Sequence, residues 1–126
     1  MKSFSLKQTA LALILLMLGA AGCDKGSTLQ TPLPVAELPA AFGKAFSKAK
    51  PEIKGLADQV VKDVQAQDYP KAFQDIQSLA AQLNLTKEQS SAIGRATLTI
   101  NELLQAAQAK GDEKAAATIE NYRRNK

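Results

Sequence analysis

The chain contains no histidine and no tryptophan, and it has a single cysteine, Cys23, among its 126 residues. Those gaps exclude a histidine general base, a histidine-built metal site, a cysteine–histidine nucleophile pair and an internal disulfide. Aromatic residues make up only 5%. No glycine-rich phosphate loop, no metal-ligand spacing and no nucleophile–base pair is present. Neither enzymatic activity nor a cofactor or metal is therefore expected. Strand signals are missing too: no alternating apolar–polar run is bounded by turns, so no sheet is expected. Charge of one sign is also in short supply. Sixteen basic residues face twelve acidic ones, a formal net charge of +4. If Lys2 and Lys7 are removed with the N-terminal segment, fourteen basic residues face the same twelve, leaving +2. A nucleic-acid binder concentrates Lys and Arg on one face. Here Lys alternates with Asp and Glu, the pattern of solvated helix surfaces, so no nucleic-acid partner is expected. Length and composition fit one small globular domain.

The first residues read as a secretory signal. Lys2 and Lys7 form a positive start, and Ala10 to Leu18 is unbroken apolar sequence. That run is short of the ~20 residues a membrane span needs and fits the apolar core of a cleaved signal. Gly19, Ala20, Ala21 and Gly22 lead to Cys23. The segment Leu18-Gly19-Ala20-Ala21-Gly22-Cys23 resembles a bacterial lipobox, with Ala20 standing where that family usually has Leu. The resemblance implies diacylglyceryl transfer to the Cys23 thiol, cleavage before it, and acylation of the new amino terminus. Ordinary signal cleavage would instead leave one unpaired thiol in an oxidising compartment. Two or more acyl chains anchor a protein stably, at about 0.8 kcal/mol per buried methylene. The expected location is the cell envelope, lipid-anchored to the membrane through Cys23 and facing the periplasm. Asp24 resembles the signal that retains enterobacterial lipoproteins in the inner membrane, and it tilts the expectation that way.

The expected organisation is a signal peptide over 1–22, a lipidated flexible linker over 23–35, and a helical domain over 36–126. Pro32 and Pro34 favour extended chain in the linker. From Val35 on, the pattern is helical. Leu38, Phe42, Ala45, Phe46 and Ala49 recur at three- and four-residue steps, and Ile53, Leu56, Ala57, Val60, Val61 and Val64 continue in phase. Pro51 either kinks one long helix or opens a second. Asp68 is an N-cap candidate for a helix carrying Ala72, Phe73, Ile76, Leu79, Ala80 and Leu83, ending near Asn84. Thr86-Lys87-Glu88-Gln89 is a capping box. Its helix carries Ile93, Ala96, Ile100, Leu103, Leu104 and Ala107. Gly111 stops it, and Asp112 caps a last helix with Ala115, Ala116, Ile119 and Tyr122 inward. The fold class expected is all-α: a small bundle of four to five helices in antiparallel hairpins. A 43-residue shift aligns Lys71-Ala72 with Lys114-Ala115 and Ile76 with Ile119, a faint internal repeat. Asp58, Asp63, Asp68 and Asp75 are expected on outward faces.

Three segments resemble known families. Asp68-Tyr69-Pro70-Lys71-Ala72 with Ile76 resembles the mid-repeat turn of a tetratricopeptide hairpin, although that repeat's Trp, Gly-Tyr and closing Pro are missing. Leu85-Thr86-Lys87-Glu88-Gln89 resembles the Leu-Thr-x-x-Gln motif of periplasmic stress chaperones, which implies shielding of unfolded envelope proteins. Any well-capped helix start has the same look. Tyr122-Arg123-Arg124-Asn125-Lys126 resembles the C-terminus of the major murein lipoprotein, which implies peptidoglycan attachment through the last Lys. Basic residues at a helix C-terminus give the same sequence. The reading preferred is a membrane-anchored, non-catalytic helical interaction or structural module, with an envelope protein as a possible partner.

Overall fold

The computed structural model describes residues 30–126. A 3-10 turn, Val35–Glu37, leads into α1 (Leu38–Ala45), α2 (Pro51–Gln65), α3 (Tyr69–Ala80), α4 (Lys87–Ala109) and α5 (Glu113–Arg124). The described residues contain no strand. The chain is an all-helical bundle in which α2–α3 and α4–α5 are hairpins. α1 packs across α2 and α4, and α3 lies between α2 and α4. Pro51 opens a separate helix. Lys50 before it is extended, at φ −60° and ψ 150°, because a residue preceding proline is pushed out of the helical region.

Both hairpins close with the same device. In the first, Gln67 adopts φ 59°. Its N–H donates to Val64 O at 3.0 Å, and the Asp68 N–H donates to Asp63 O at 2.9 Å. In the second, Gly111 adopts φ 91°. Its N–H donates to Gln108 O and the Asp112 N–H to Ala107 O, both at 3.0 Å. These are Schellman closures. Each Asp then caps the next helix: Asp68 accepts from the Lys71 N–H, and Asp112 from the Lys114 and Ala115 N–H groups. The turn residues are 44 positions apart (67 to 111), whereas the fully buried Ala72 and Ala115 are 43 apart. The repeat therefore slips by one residue in the first turn of α3.

The core forms along the apolar stripes. Leu38, Phe42, Phe46, Val60, Ile76, Leu79, Ile100 and Leu104 are its largest fully buried side chains, and the Phe42 and Phe46 rings sit 5.4 Å apart. Phe73 is buried, as the pattern predicts. Several expectations need correction. α3 stops at Ala80, four residues before Asn84. Leu83 then falls beyond the stripe and is 83% exposed, and Ala80 is exposed at the helix end. Tyr122 is 41% exposed, because α5 lies at the edge and covers only part of its neighbours. Leu33, assigned to the linker, is buried in the core.

Candidate functional site

The chain ahead of the 3-10 turn is strapped along α4. Leu33 lies between two prolines, so its backbone is extended and its amide and carbonyl are free to bond elsewhere. Its N–H donates to Arg95 O at 3.3 Å. The Thr99 hydroxyl donates to Leu33 O at 2.5 Å, and Arg95 Nε donates to Thr31 O at 3.0 Å. Gln30 lies against Gly94, where any β-carbon would collide with its side-chain oxygen. Arg95 and Thr99 share one face of α4 at i, i+4 spacing, with Gly94 flanking it. Going back from Leu33 to Gln30, the strap runs from Thr99 to Gly94, toward the Lys87 end of α4. Sequence reading missed this seat. The signal for it was an apolar residue isolated between prolines, together with Arg95 and Thr99 one helical turn apart beside a glycine.

The two ends of the bundle differ in charge. At one end lie the α1–α2 loop and the α3–α4 loop, held together by the capping box. The Thr86 hydroxyl accepts from the Gln89 N–H at 3.1 Å, and Gln89 Oε1 accepts from the Thr86 N–H at 3.0 Å. Gln89 Nε2 donates onward to Ala45 O at 3.2 Å, joining the start of α4 to the end of α1. Residues 44–54 and 81–88 around this end carry five lysines (Lys44, Lys48, Lys50, Lys54, Lys87) against two glutamates (Glu52, Glu88). All five lysines are exposed. Among the described residues, none of the five is in an ion pair. At the opposite end, residues 62–71 and 106–114 carry four basic and four acidic residues.

An acid pair lies between α2 and α3. Asp63 was expected outward, but its side chain is only 6% exposed, and that of Asp75 is 23%. Lys71 Nζ donates to Asp63 Oδ1 at 3.1 Å and lies 3.6 Å from Asp75 Oδ2. Gln59 Nε2 donates to Asp63 Oδ1 at 2.8 Å. The Oδ2 atoms of both acids are buried and have no donor as long as both are ionised. A proton on Asp75 would supply the missing donor between them. Accordingly, the hydrogen bond to Asp63, with burial and the Asp63 charge, raises the Asp75 pKa. Burial pushes Asp63 upward, but bonds from Asp75, Gln59 and Lys71 outweigh it and hold its pKa below the usual value. Asp58 and Asp68 are exposed, as expected.

Tyr122 projects between α3 and α4. Its ring meets Phe73 edge-on at 5.2 Å, and Lys126 Nζ lies 4.9 Å from its centre. Two shallow clefts of about 310 and 260 Å³ flank it. Gln74, Gln77 and Asn121 line one, and Asn101 and Gln105 line the other. This is a polar surface with one aromatic anchor.

Cys23, Asp24 and the signal segment over 1–22 lie outside the described residues. Among the described residues, no helix is long and apolar enough to cross a membrane, and no group of three His, Cys, Asp or Glu side chains is placed to hold a metal ion. No protein-family model matches the chain, and comparison with curated proteins and with solved structures finds no significant match.

Proposed function

We propose that the mature protein is an envelope lipoprotein, anchored by lipid on Cys23, whose helical bundle acts as a non-catalytic interaction or structural module facing the periplasm. The observation that carries this reading is the lone cysteine directly after a small-residue run that ends an apolar segment. The strap supports it. Eight and ten links after Cys23 the chain is seated on α4 through Thr31 and Leu33, so a lipid at Cys23 would hold the bundle close to a bilayer. The surface open to a partner is the side bearing Tyr122, where an aromatic ring stands among carboxamides that can donate and accept. A chaperone reading would call for a broad apolar surface. Among the described residues, the exposed large apolar side chains, Val35, Leu83, Leu98 and Tyr122, lie on different elements, and Thr86 and Gln89 are engaged in capping. Both facts favour the module. Its retention in the inner membrane is part of the proposal and rests on Asp24.

The test is processing and fractionation. The membrane-extracted protein should lack residues 1–22 and carry added acyl mass. Cys23→Ser should be released from membranes or stay unprocessed. A fully processed Cys23→Ser protein that still fractionates with membranes would overturn the reading. Near-stoichiometric suppression of client aggregation would move the function to the chaperone alternative. A crosslink in intact cells to one defined envelope protein would favour the module.

A further inference from the structure

We infer that the lysine-rich end of the bundle, with Leu83 at its tip, rests on an anionic phospholipid surface. The inference deepens the lipid-anchor reading and rests on it for orientation. Three observations converge. The first is direction: the strap passes Thr99, then Arg95, then Gly94 as it runs back toward residue 30, so it is heading for the Lys87 end. The second is reach. Seven links separate Cys23 from Gln30, which span at most about 25 Å at ~3.6 Å each. Along α4, Gly94 is seven residues from Lys87 and fifteen from Ala109, about 10 and 22 Å at 1.5 Å per residue. Seven links are long enough for Cys23 to pass the lysine-rich end with chain to spare. To pass the other end, the chain would have to reverse at Gln30 and run almost fully extended. The third is chemistry. Five exposed lysines, unpaired among the described residues, face two glutamates at the near end, whereas charges balance at the far end. Leu83, 83% exposed, stands at the same end, in the loop between α3 and α4 and four residues before Lys87.

Lysines attract anionic headgroups only within about a Debye length, ~10 Å at 0.1 M salt. Seven flexible links average about 15 Å end to end, about 5 Å past the lysine-rich end, which brings the lysines within that range for much of the time. The lysine stems and Leu83 then offer apolar surface to the headgroup region while the ammonium groups stay in water. The arrangement turns the Asp68 and Asp112 end away from the bilayer and leaves the Tyr122 side open.

The experiment uses the full chain, produced in a host that processes lipoproteins and reconstituted into vesicles containing phosphatidylglycerol or phosphatidylcholine alone. An environment-sensitive fluorophore is placed on Leu83→Cys or, for comparison, on Ala109→Cys, both exposed positions. The label at 83 should shift to the blue and be quenched severalfold by a lipid-borne quencher in phosphatidylglycerol vesicles, while the label at 109 should not. Half-molar salt, or Lys48→Glu with Lys50→Glu, should remove at least half of that quenching. Equal quenching at 83 and 109, or none at 83, overturns the inference. Intact mass reports the acylation of Cys23 separately. If Cys23 proves unmodified, the anchor reading fails, and the Leu83→Cys label is read on a Cys23→Ser background. Salt-sensitive quenching from solution then supports the basic face alone, and its absence overturns that as well.

Discussion

The two hairpins share a turn and differ in the helix beyond it. After Asp68, α3 buries Ala72, Phe73, Ile76 and Leu79. After Asp112, α5 buries Ala115 alone, with Ile119 half-covered and Tyr122 still 41% exposed. The hydrogen-bonded turns are equivalent, so turn chemistry does not set this difference. Position does. α3 has α2 on one side and α4 on the other, and it also touches α5, while α5 rests mainly on α4. A turn decides where a helix starts; the number of partners decides how much stability that helix contributes.

The sharpest way to break the comparison is to truncate one aromatic in each second helix. Phe73→Ala should cost about 3–5 kcal/mol, the range for a buried aromatic. Tyr122→Ala should cost only about 1 kcal/mol, mostly its edge-on contact with Phe73. Denaturant unfolding measures both. Similar costs would mean that α5 is as integral as α3.

Titration gives the next effect, and it belongs to the first hairpin alone. Asp75 has a raised pKa, so its contribution is present below the unfolded value and is lost as pH climbs through the folded one. Asp63 has a lowered pKa, so its contribution is present above the unfolded value and is lost as pH falls through the folded one. The melting temperature should therefore peak where the pair holds one proton and fall on both sides. Asp75→Asn keeps a donor to Asp63 and cannot ionise. It should abolish the decline on the alkaline side and keep the acid one. A profile unchanged by Asp75→Asn would refute the shared proton.

Capping comes third. Thr86→Ala should cost about 1 kcal/mol, with Thr86→Ser and Thr86→Asp nearly neutral. Asp112→Ala should cost about as much as Asp68→Ala, because both caps occupy equivalent turns. Thermal melts of the five variants compare them directly.

The smallest effect is a reciprocal exchange at the left-handed turn residues. Gln67→Gly should stabilise by up to about 1 kcal/mol, because a β-carbon is disfavoured at φ 59°. Gly111→Gln should destabilise by a similar amount. Opposite signs at the two positions would confirm that the turns are one device with two residue choices.

The features legible in the sequence are those set by local physics. Helix phase came from apolar spacing, and helix starts came from Asp68, Thr86 and Asp112, whose side chains bond within three residues. Three features were not legible, because each depends on a partner far along the chain. Leu33 is buried by residues some sixty positions later. Asp63 borders the Val60–Val64 stripe, and only the return of α3 supplies Lys71 and Asp75. Leu83 looked helical by spacing, but α3 ends before it. The lysine-rich end was missed for the same reason: Lys44 to Lys54 and Lys87 meet only when α1 joins the start of α4 through Gln89.

The strap has a mechanical consequence. Tension on the chain from its N-terminal side enters the bundle at Gln30, not at the first residue of α1. Because the strap lies along α4, a pull toward the Lys87 end loads the contacts at Gly94, Arg95 and Thr99 in shear, all together. A pull toward the Ala109 end would peel them one at a time, starting with Gln30. The bundle thus withstands force in one direction better than in the other, and the stronger direction is the one in which Lys87 leads.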